Sequence, residues 1–175
     1  MNTQAVQTIA IPKDCALYHT LDSAQFYDAH ELRQTRTTPA SALAIWLTQI
    51  RNTPRWVELL MRLRNRIVGW FGLKNLGDLS GLNLDKKESD YRVGDRLGIF
   101  TIVHIEHDEL IVGDSDKHLD VKLSFMVKEA GQRLIIATVV HEHNRLGALY
   151  MFFVRPMHRL IAPAVLRRFV VAPAH

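Results

Sequence analysis

The feature that most constrains the fold is a long stretch of alternating or two-sided apolar residues in the second half of the chain. It covers 98–106, 109–114, 118–129, 132–144 and 147–154, and the links between these segments are only a few residues long. A period of two is typical of β-strands, and short links favour hairpins between antiparallel neighbours. The sequence therefore predicts a five-stranded antiparallel meander.

The chain before the meander predicts one strand and two helices. The strand is expected around 25–33, whereas residues 1–15 have no clear period and are either a loose arm or an edge strand. Thr38–Pro39 and Thr53–Pro54 each place a capping hydroxyl before a proline that suits the first helical position. These pairs predict helices that run to about Arg51 and Gly72.

The remaining segments complete the predicted order of strand, two helices, five strands and a helix. Residues 74–95 mix Gly, Asp and Lys with scattered leucines and predict a surface loop. A last helix is expected to begin at Pro156 and to be kinked or interrupted at Pro163. We expect an N-terminal arm (1–15), a single domain (16–170) and a C-terminal tail (171–175).

Composition and charge exclude several classes of protein. Hydrophobic residues make up 47% of the 175 and charged residues 23%, which is typical of a globular domain. The net charge of +4 is too small to indicate nucleic-acid binding, and no nucleic-acid partner is expected, although the arginines of the second predicted helix leave peripheral membrane contact as an alternative. One cysteine, no signal-peptide pattern and no long apolar run predict a cytoplasmic protein.

The stretch GDSDKHLDVKLSF (113–125) gathers acids, a histidine and a lysine before a regular strand pattern. His118 and Asp120 are the first candidates for acid–base chemistry. A calcium loop is disfavoured because its required Gly and Glu positions hold Leu119 and Phe125. A charged turn that leads into a strand with one solvated face explains the stretch better.

Other histidines offer weaker signals. His141 and His143 share one face of a predicted strand, and His104 or Glu106 could add a third metal ligand, but a solvated strand end is the favoured interpretation. His158 lies near the predicted start of the last helix, where a cation is unfavourable, so it is either packed or functional. No phosphate loop, nucleophile elbow or dinucleotide motif is present. The sequence predicts neither a metal nor a cofactor.

The motifs in the second half resemble a known family. HLD (118–120), Asn-x-x-Gly-x-x-Tyr (144–150) and Pro-x-His-Arg (156–159), with RWVELLMRLRNRIVGWFGL (55–73) before them, are similar to the bacterial family catalogued as domain of unknown function 2867. The resemblance covers about residues 17–169. It implies an α+β, START-like (SRPBCC, polyketide cyclase-like) helix-grip fold, in which a curved antiparallel sheet holds a C-terminal helix and an apolar cavity. It implies no reaction and no catalytic residues.

The leading functional prediction is a module that binds a small apolar molecule or lipid between the sheet and the C-terminal helix. Apolar segments such as LIIATVV (134–140) need cover on both sides, and an uncovered concavity is a pocket. The expected lining is Trp46, Phe125, Tyr150 and Phe152. Alternatives are a cyclase or hydrolase that uses His118, Asp120 or His158 in that pocket, and an interaction protein that forms a homodimer.

Overall fold

The computed structural model describes residues 5–35, 40–51 and 86–169, with the side chains of 50 and 51 left out of the description. These residues form seven strands and two helices, with short 3₁₀ turns at Tyr18–Ser23, Glu88–Asp90 and Glu129–Gly131. The strands and helices are β1 (Val6–Ile9), β2 (Phe26–Arg33), α1 (Ala42–Arg51), β3 (Arg96–Leu97), β4 (Phe100–Ile105), β5 (Glu109–Ser115), β6 (Leu119–Lys128), β7 (Arg133–Glu142) and α2 (Arg145–Leu166).

The strands make one open antiparallel sheet in the order β1-β2-β7-β6-β5-β4-β3. The predicted meander is confirmed from β4 to β7, and its longest pairing joins β6 to β7 from Leu119 opposite Glu142 to Lys128 opposite Arg133. The strand predicted at 25–33 is β2, which pairs with β7 along its whole length. Val6–Ile9 is the edge strand that was one of the two alternatives for the N-terminal arm.

The first meander strand is shorter than predicted. The sequence predicts it over 98–106, but β4 begins at Phe100 because the chain turns at Gly98 to pair Leu97 with Phe100. Gly98 has φ +64°, which a residue with a Cβ adopts at a cost. The alternating pattern continues through this turn, so periodicity alone does not show it.

The fifth predicted strand is wrong. Residues 147–154 form the first turns of α2, which runs without a break to Leu166. Asn144 caps this helix, since its side-chain oxygen accepts hydrogen bonds from the backbone N–H groups of Leu146 and Gly147, each at 3.1 Å. Pro156 therefore lies inside the helix rather than in its first turn, and Pro163 does not interrupt it. A continuous apolar run has no period that separates a strand from a helix.

Helix α1 begins later than predicted. Thr38 and Pro39, the expected start, lie outside the described residues. The helix begins at Ala42, and the hydroxyl of Ser41 accepts a hydrogen bond from the backbone N–H of Ala44 at 3.0 Å. The second predicted helix (54–72) and most of the predicted loop (74–95) also lie outside the described residues.

The sheet is covered on both faces, as the two-sided pattern of β7 predicts. On one face α1 and α2 pack against residues such as Leu134 and Ile136, and on the other the segment 11–24 packs against Ile135 and Ala137. In the described part of the chain, neither helix combines the length and the hydropathy needed to cross a bilayer. The architecture is α+β.

Candidate functional site

The three residues predicted for acid–base chemistry do not form one site. His118 lies in the turn between β5 and β6, Asp120 follows it on β6, and His158 lies on α2. Leu119 packs on the α2 face of the sheet, so its neighbour Asp120 points to the opposite face. His158 and Asp120 are therefore separated by the sheet.

His118 is buried and joins the β5–β6 turn to the start of α2. Its ring Nδ1 lies 3.2 Å from Oδ1 of Asn144, and its carbonyl oxygen accepts the backbone N–H of His143 at 2.8 Å. A Cβ on Gly147 would lie 2.3 Å from the same carbonyl oxygen, so only glycine allows the helix to approach this closely. These contacts give the Asn-x-x-Gly motif a packing role.

Asp120 lies near the histidines considered as metal ligands. Its Oδ2 is 3.3 Å from Nε2 of His143, with both side chains about a third exposed, while Nε2 of His141 lies 3.0 Å from the carbonyl oxygen of Thr20. No group of three His, Cys, Asp or Glu side chains within 5–35, 40–51 and 86–169 is placed to hold a metal ion.

His158 points into the protein and meets a buried carboxylate. Its Nε2 lies 3.2 Å from Oδ1 of Asp28 on β2 and 3.1 Å from Oγ1 of Thr138 on β7. The other oxygen of Asp28 is 3.4 Å from Nε2 of His30, within ion-pair distance but outside hydrogen-bond geometry. Nδ1 of His30 in turn lies 3.4 Å from the hydroxyl of Thr8. A chain of polar groups thus crosses β1, β2 and β7 beneath α2.

The Asp28 carboxylate is held in its charged form. Burial acts to raise the pKa of Asp28, but the hydrogen bond with His158 and the charges of His158 and His30 outweigh it, so the pKa lies below its usual value. The Asp28 and His158 side chains are 14% and 19% exposed, and that of His30 is 6% exposed. A carboxylate that orients an imidazole is the usual companion of a histidine acid or base. It is also an ordinary way to pair a histidine that packs in a core.

Sequence reasoning found His158 but missed Asp28 and His30. These two residues are two apart on β2, so they share the face that α2 covers. The signal was a polar pair between Phe26 and Leu32 on a face that is otherwise apolar. Its partner is 130 residues away in the chain, and only the fold shows that contact.

The four residues predicted to line a ligand cavity lie in three different places. Trp46 and Phe125 pack together with Phe169 in the core beneath α1, and the ring centroids of Phe125 and Phe169 are 4.7 Å apart. Tyr150 packs against a separate cluster at the start of α2, and Phe152 on the same helix is exposed. The described structure does not bring these four side chains around one space.

A pocket of about 670 Å³, open to solvent, lies instead where the start of α1 meets the turn between β4 and β5. Its apolar lining is Leu43, Tyr91 and Ile105; its polar lining is Ser41, Lys87, Glu88, Ser89, Arg92, Glu106 and His107. Leu43 and Tyr91 are also buried parts of the core, so the apolar side of the pocket is fixed by packing.

Polar contacts shape the rim of the pocket. The Ser41 hydroxyl bonds the Glu88 carboxylate, and the Arg92 guanidinium donates to the carbonyl oxygen of Tyr91 at 2.8 Å. The ammonium of Lys86 lies 4.7 Å above the Tyr91 ring and 2.7 Å from Asp95. This hydrogen bond from Lys86 holds the pKa of Asp95 below its usual value.

Comparison with known proteins gives one family. The family described as protein of unknown function (DUF2867) matches residues 20–165. No curated protein and no solved structure matches the chain.

Proposed function

We propose that the chain, which belongs to the DUF2867 family of proteins of unknown function, is a binding module for a small, largely apolar molecule. The observation that supports the proposal is the open pocket beside Tyr91, whose volume of about 670 Å³ falls in the range of ligand sites. It replaces the expected site around Trp46 and Phe125, because those side chains fill the core beneath α1.

The lining indicates the chemistry of the ligand. Leu43, Tyr91 and Ile105 offer an apolar wall for a ring or a short aliphatic body. Arg92 and His107 on the rim supply donors for one polar or anionic group. The same pocket carries Glu88 and Glu106, which disfavour a ligand with several negative charges.

The proposal includes a START-like, helix-grip relationship. Its support is the arrangement of an antiparallel sheet with a C-terminal helix packed across β7, β2 and β1. The pocket, however, is away from the C-terminal helix, between α1 and the β4–β5 turn. The ligand would therefore contact the sheet edge rather than the C-terminal helix.

The test uses 8-anilinonaphthalene-1-sulfonate, an apolar aromatic probe with one anionic group, and its binding is measured by fluorescence titration. We expect saturable binding that Ser89→Trp abolishes, because the indole fills the pocket. Ser23→Trp is the matched control, since Ser23, like Ser89, is an exposed serine in a 3₁₀ turn but lies outside the pocket. Equal binding by both variants would contradict the proposal. Native mass spectrometry of protein purified from its source would then identify a bound natural ligand.

A second candidate function is acid–base chemistry by His158, and the contact of its Nε2 with Asp28 is the observation that favours it. The protein would be screened against activated esters and lactones for hydrolysis. If the activity survives His158→Gln, other residues carry out the reaction. If His158 is only structural, we expect His158→Gln to lower the stability of the protein and the native protein to catalyse no reaction.

A further inference from the structure

The outer face of α2 carries a continuous apolar stripe that the rest of the described chain leaves uncovered. Leu149, Phe152, Phe153 and Leu160 are 44%, 71%, 55% and 75% exposed, and Pro156 between them is also exposed. In an α-helix these spacings place all five within an arc of about 100°. Exposed aromatic and leucine side chains in one stripe mark an interaction surface.

This stripe lies opposite the face by which α2 packs on the sheet. Met151, His158 and Ala162 point inward, and the first two contact residues of β7 and β2. The helix is therefore already anchored, and its outer face makes no part of the core formed by residues 5–35, 40–51 and 86–169. With 22 residues, α2 is about 33 Å long, so the stripe offers an extended and rigid edge.

The charge around the stripe has one sign. The chain has five arginines from Arg145 to Arg168 and no Asp or Glu after Glu142, although the formal net charge of the whole protein is only +4. Arg155 is paired with Glu142 at 2.6 Å. Among the described residues, no carboxylate forms an ion pair with Arg145, Arg159, Arg167 or Arg168.

We propose that α2 docks the protein on the surface of an anionic lipid bilayer. Its Phe and Leu side chains enter the region between headgroups and acyl chains, and its arginines contact lipid phosphates. A helix with an exposed apolar stripe and purely cationic flanks has the chemistry of an interfacial helix. The same charge disfavours a second copy as the occupant, because two stripes pressed together would juxtapose arginines.

This proposal does not depend on the ligand pocket. The pocket lies beside Tyr91 and Ile105, and none of its lining residues belongs to α2. The protein needs no membrane-spanning segment to bind in this way, since only one side of one helix contacts lipid.

The test is co-sedimentation of the full chain with vesicles of phosphatidylcholine alone and of phosphatidylcholine mixed with phosphatidylglycerol. We expect binding to the mixed vesicles only, weakened at high salt. Phe152→Ser combined with Phe153→Ser should lower partitioning about tenfold or more. Arg145→Gln combined with Arg159→Gln should also lower it about tenfold or more, since each arginine contributes roughly fivefold.

Matched controls remove the same groups elsewhere. Tyr27→Ser removes an exposed aromatic from β2, and Lys13→Gln with Arg33→Gln removes two exposed cations outside α2. Circular dichroism checks that each variant is folded. Loss of binding in the control variants equal to that in the α2 variants would overturn the proposal, as would native protein that stays in the supernatant. A dimer in light scattering that Phe152→Ser and Phe153→Ser dissociate, without vesicle binding, would assign the stripe to self-association instead.

Discussion

Asp28 is the residue whose electrostatic role is most clearly defined. It lies between His158 and His30 and accepts a hydrogen bond from the Thr138 side chain. Removing its charge therefore leaves two imidazoles without their carboxylate. We expect Asp28→Asn to lower the free energy of unfolding by roughly 1–3 kcal/mol at neutral pH. Urea denaturation measures this change. Asp22→Asn, at an exposed position, is the control and should change it by less than about 0.5 kcal/mol.

The pH dependence of that difference follows from the direction of the pKa shift. The pKa of Asp28 is lowered in the folded protein, so its stabilising contribution is complete above the pKa of the unfolded chain, near 3.8. The contribution is lost as the pH falls through the lower, folded-state pKa. The gap between native protein and Asp28→Asn should therefore be constant near pH 5 and close below about pH 3.8. A gap that widens toward acid pH would contradict this assignment.

Gly147 gives a prediction that opposes helix propensity. Alanine is favoured over glycine in a helix by about 1 kcal/mol, yet a Cβ at this position would press on the His118 carbonyl at 2.3 Å. That atom is backbone and has no rotamer with which to move away. We expect Gly147→Ala to destabilise the protein by about 1–3 kcal/mol in urea denaturation. Were Gly147→Ala neutral or stabilising, the close approach of α2 to the β5–β6 turn would be excluded.

At the scale of elements, α2 shows where sequence information was insufficient. Strand β6 was predictable because its alternation lies within the segment itself, and β5 and β7 because short links join them to β6. Residues 147–154 are apolar on all sides, so their own pattern fits a strand or a helix equally well. The deciding feature is Asn144, whose side chain caps the helix and also donates to the carbonyl oxygen of Lys117. The capping residue can be read from the sequence, but its hydrogen bond to the Lys117 carbonyl depends on where the fold places the β5–β6 turn.

The start of α2 can be tested through this cap. Asn144→Ala removes the acceptor for the Leu146 and Gly147 N–H groups and the contact with His118, and should cost about 1–2 kcal/mol. Asn144→Asp keeps the capping oxygen but replaces the amide donor to the Lys117 carbonyl with a second acceptor, so it should recover only part of the loss and cost less than Asn144→Ala. Thermal unfolding followed by circular dichroism compares the two. An equal loss in both variants would assign the effect to the Lys117 bond rather than to the cap.

At the scale of the whole molecule, the sheet is stable only if both faces stay covered, and the two covers differ in kind. Helices α1 and α2 cover one face, but the other depends on the segment 11–24, which is made of turns and the 3₁₀ turn at Tyr18–Ser23. Glu109 ties that segment down. Its buried carboxylate accepts hydrogen bonds from the Ser124 hydroxyl at 2.5 Å and from the Ala16 N–H at 3.2 Å, and the Cys15 thiol lies 3.4 Å away. The backbone hydrogen bonds of the segment itself, such as those from Tyr18 to Cys15 and from Thr20 to Leu17, are local, whereas the Glu109 carboxylate ties the segment to the sheet.

Cys15 reports on this attachment. Burial, the largest effect, raises the pKa of its thiol, and the nearby Glu109 carboxylate raises it further, so the native thiol should react slowly with a disulfide reagent such as Ellman's reagent. Glu109→Ala removes the acceptor, frees the segment and should accelerate labelling at pH 8 by tenfold or more, on the order expected when local opening costs about 1.4 kcal/mol less. Glu106→Ala removes an exposed acid from the turn that precedes Glu109; it is the control and should leave the rate unchanged. If Glu109→Ala labels no faster than native protein while remaining folded, the segment is held by its apolar contacts with Ile135 and Ala137 alone, and the cover of this face does not depend on the carboxylate.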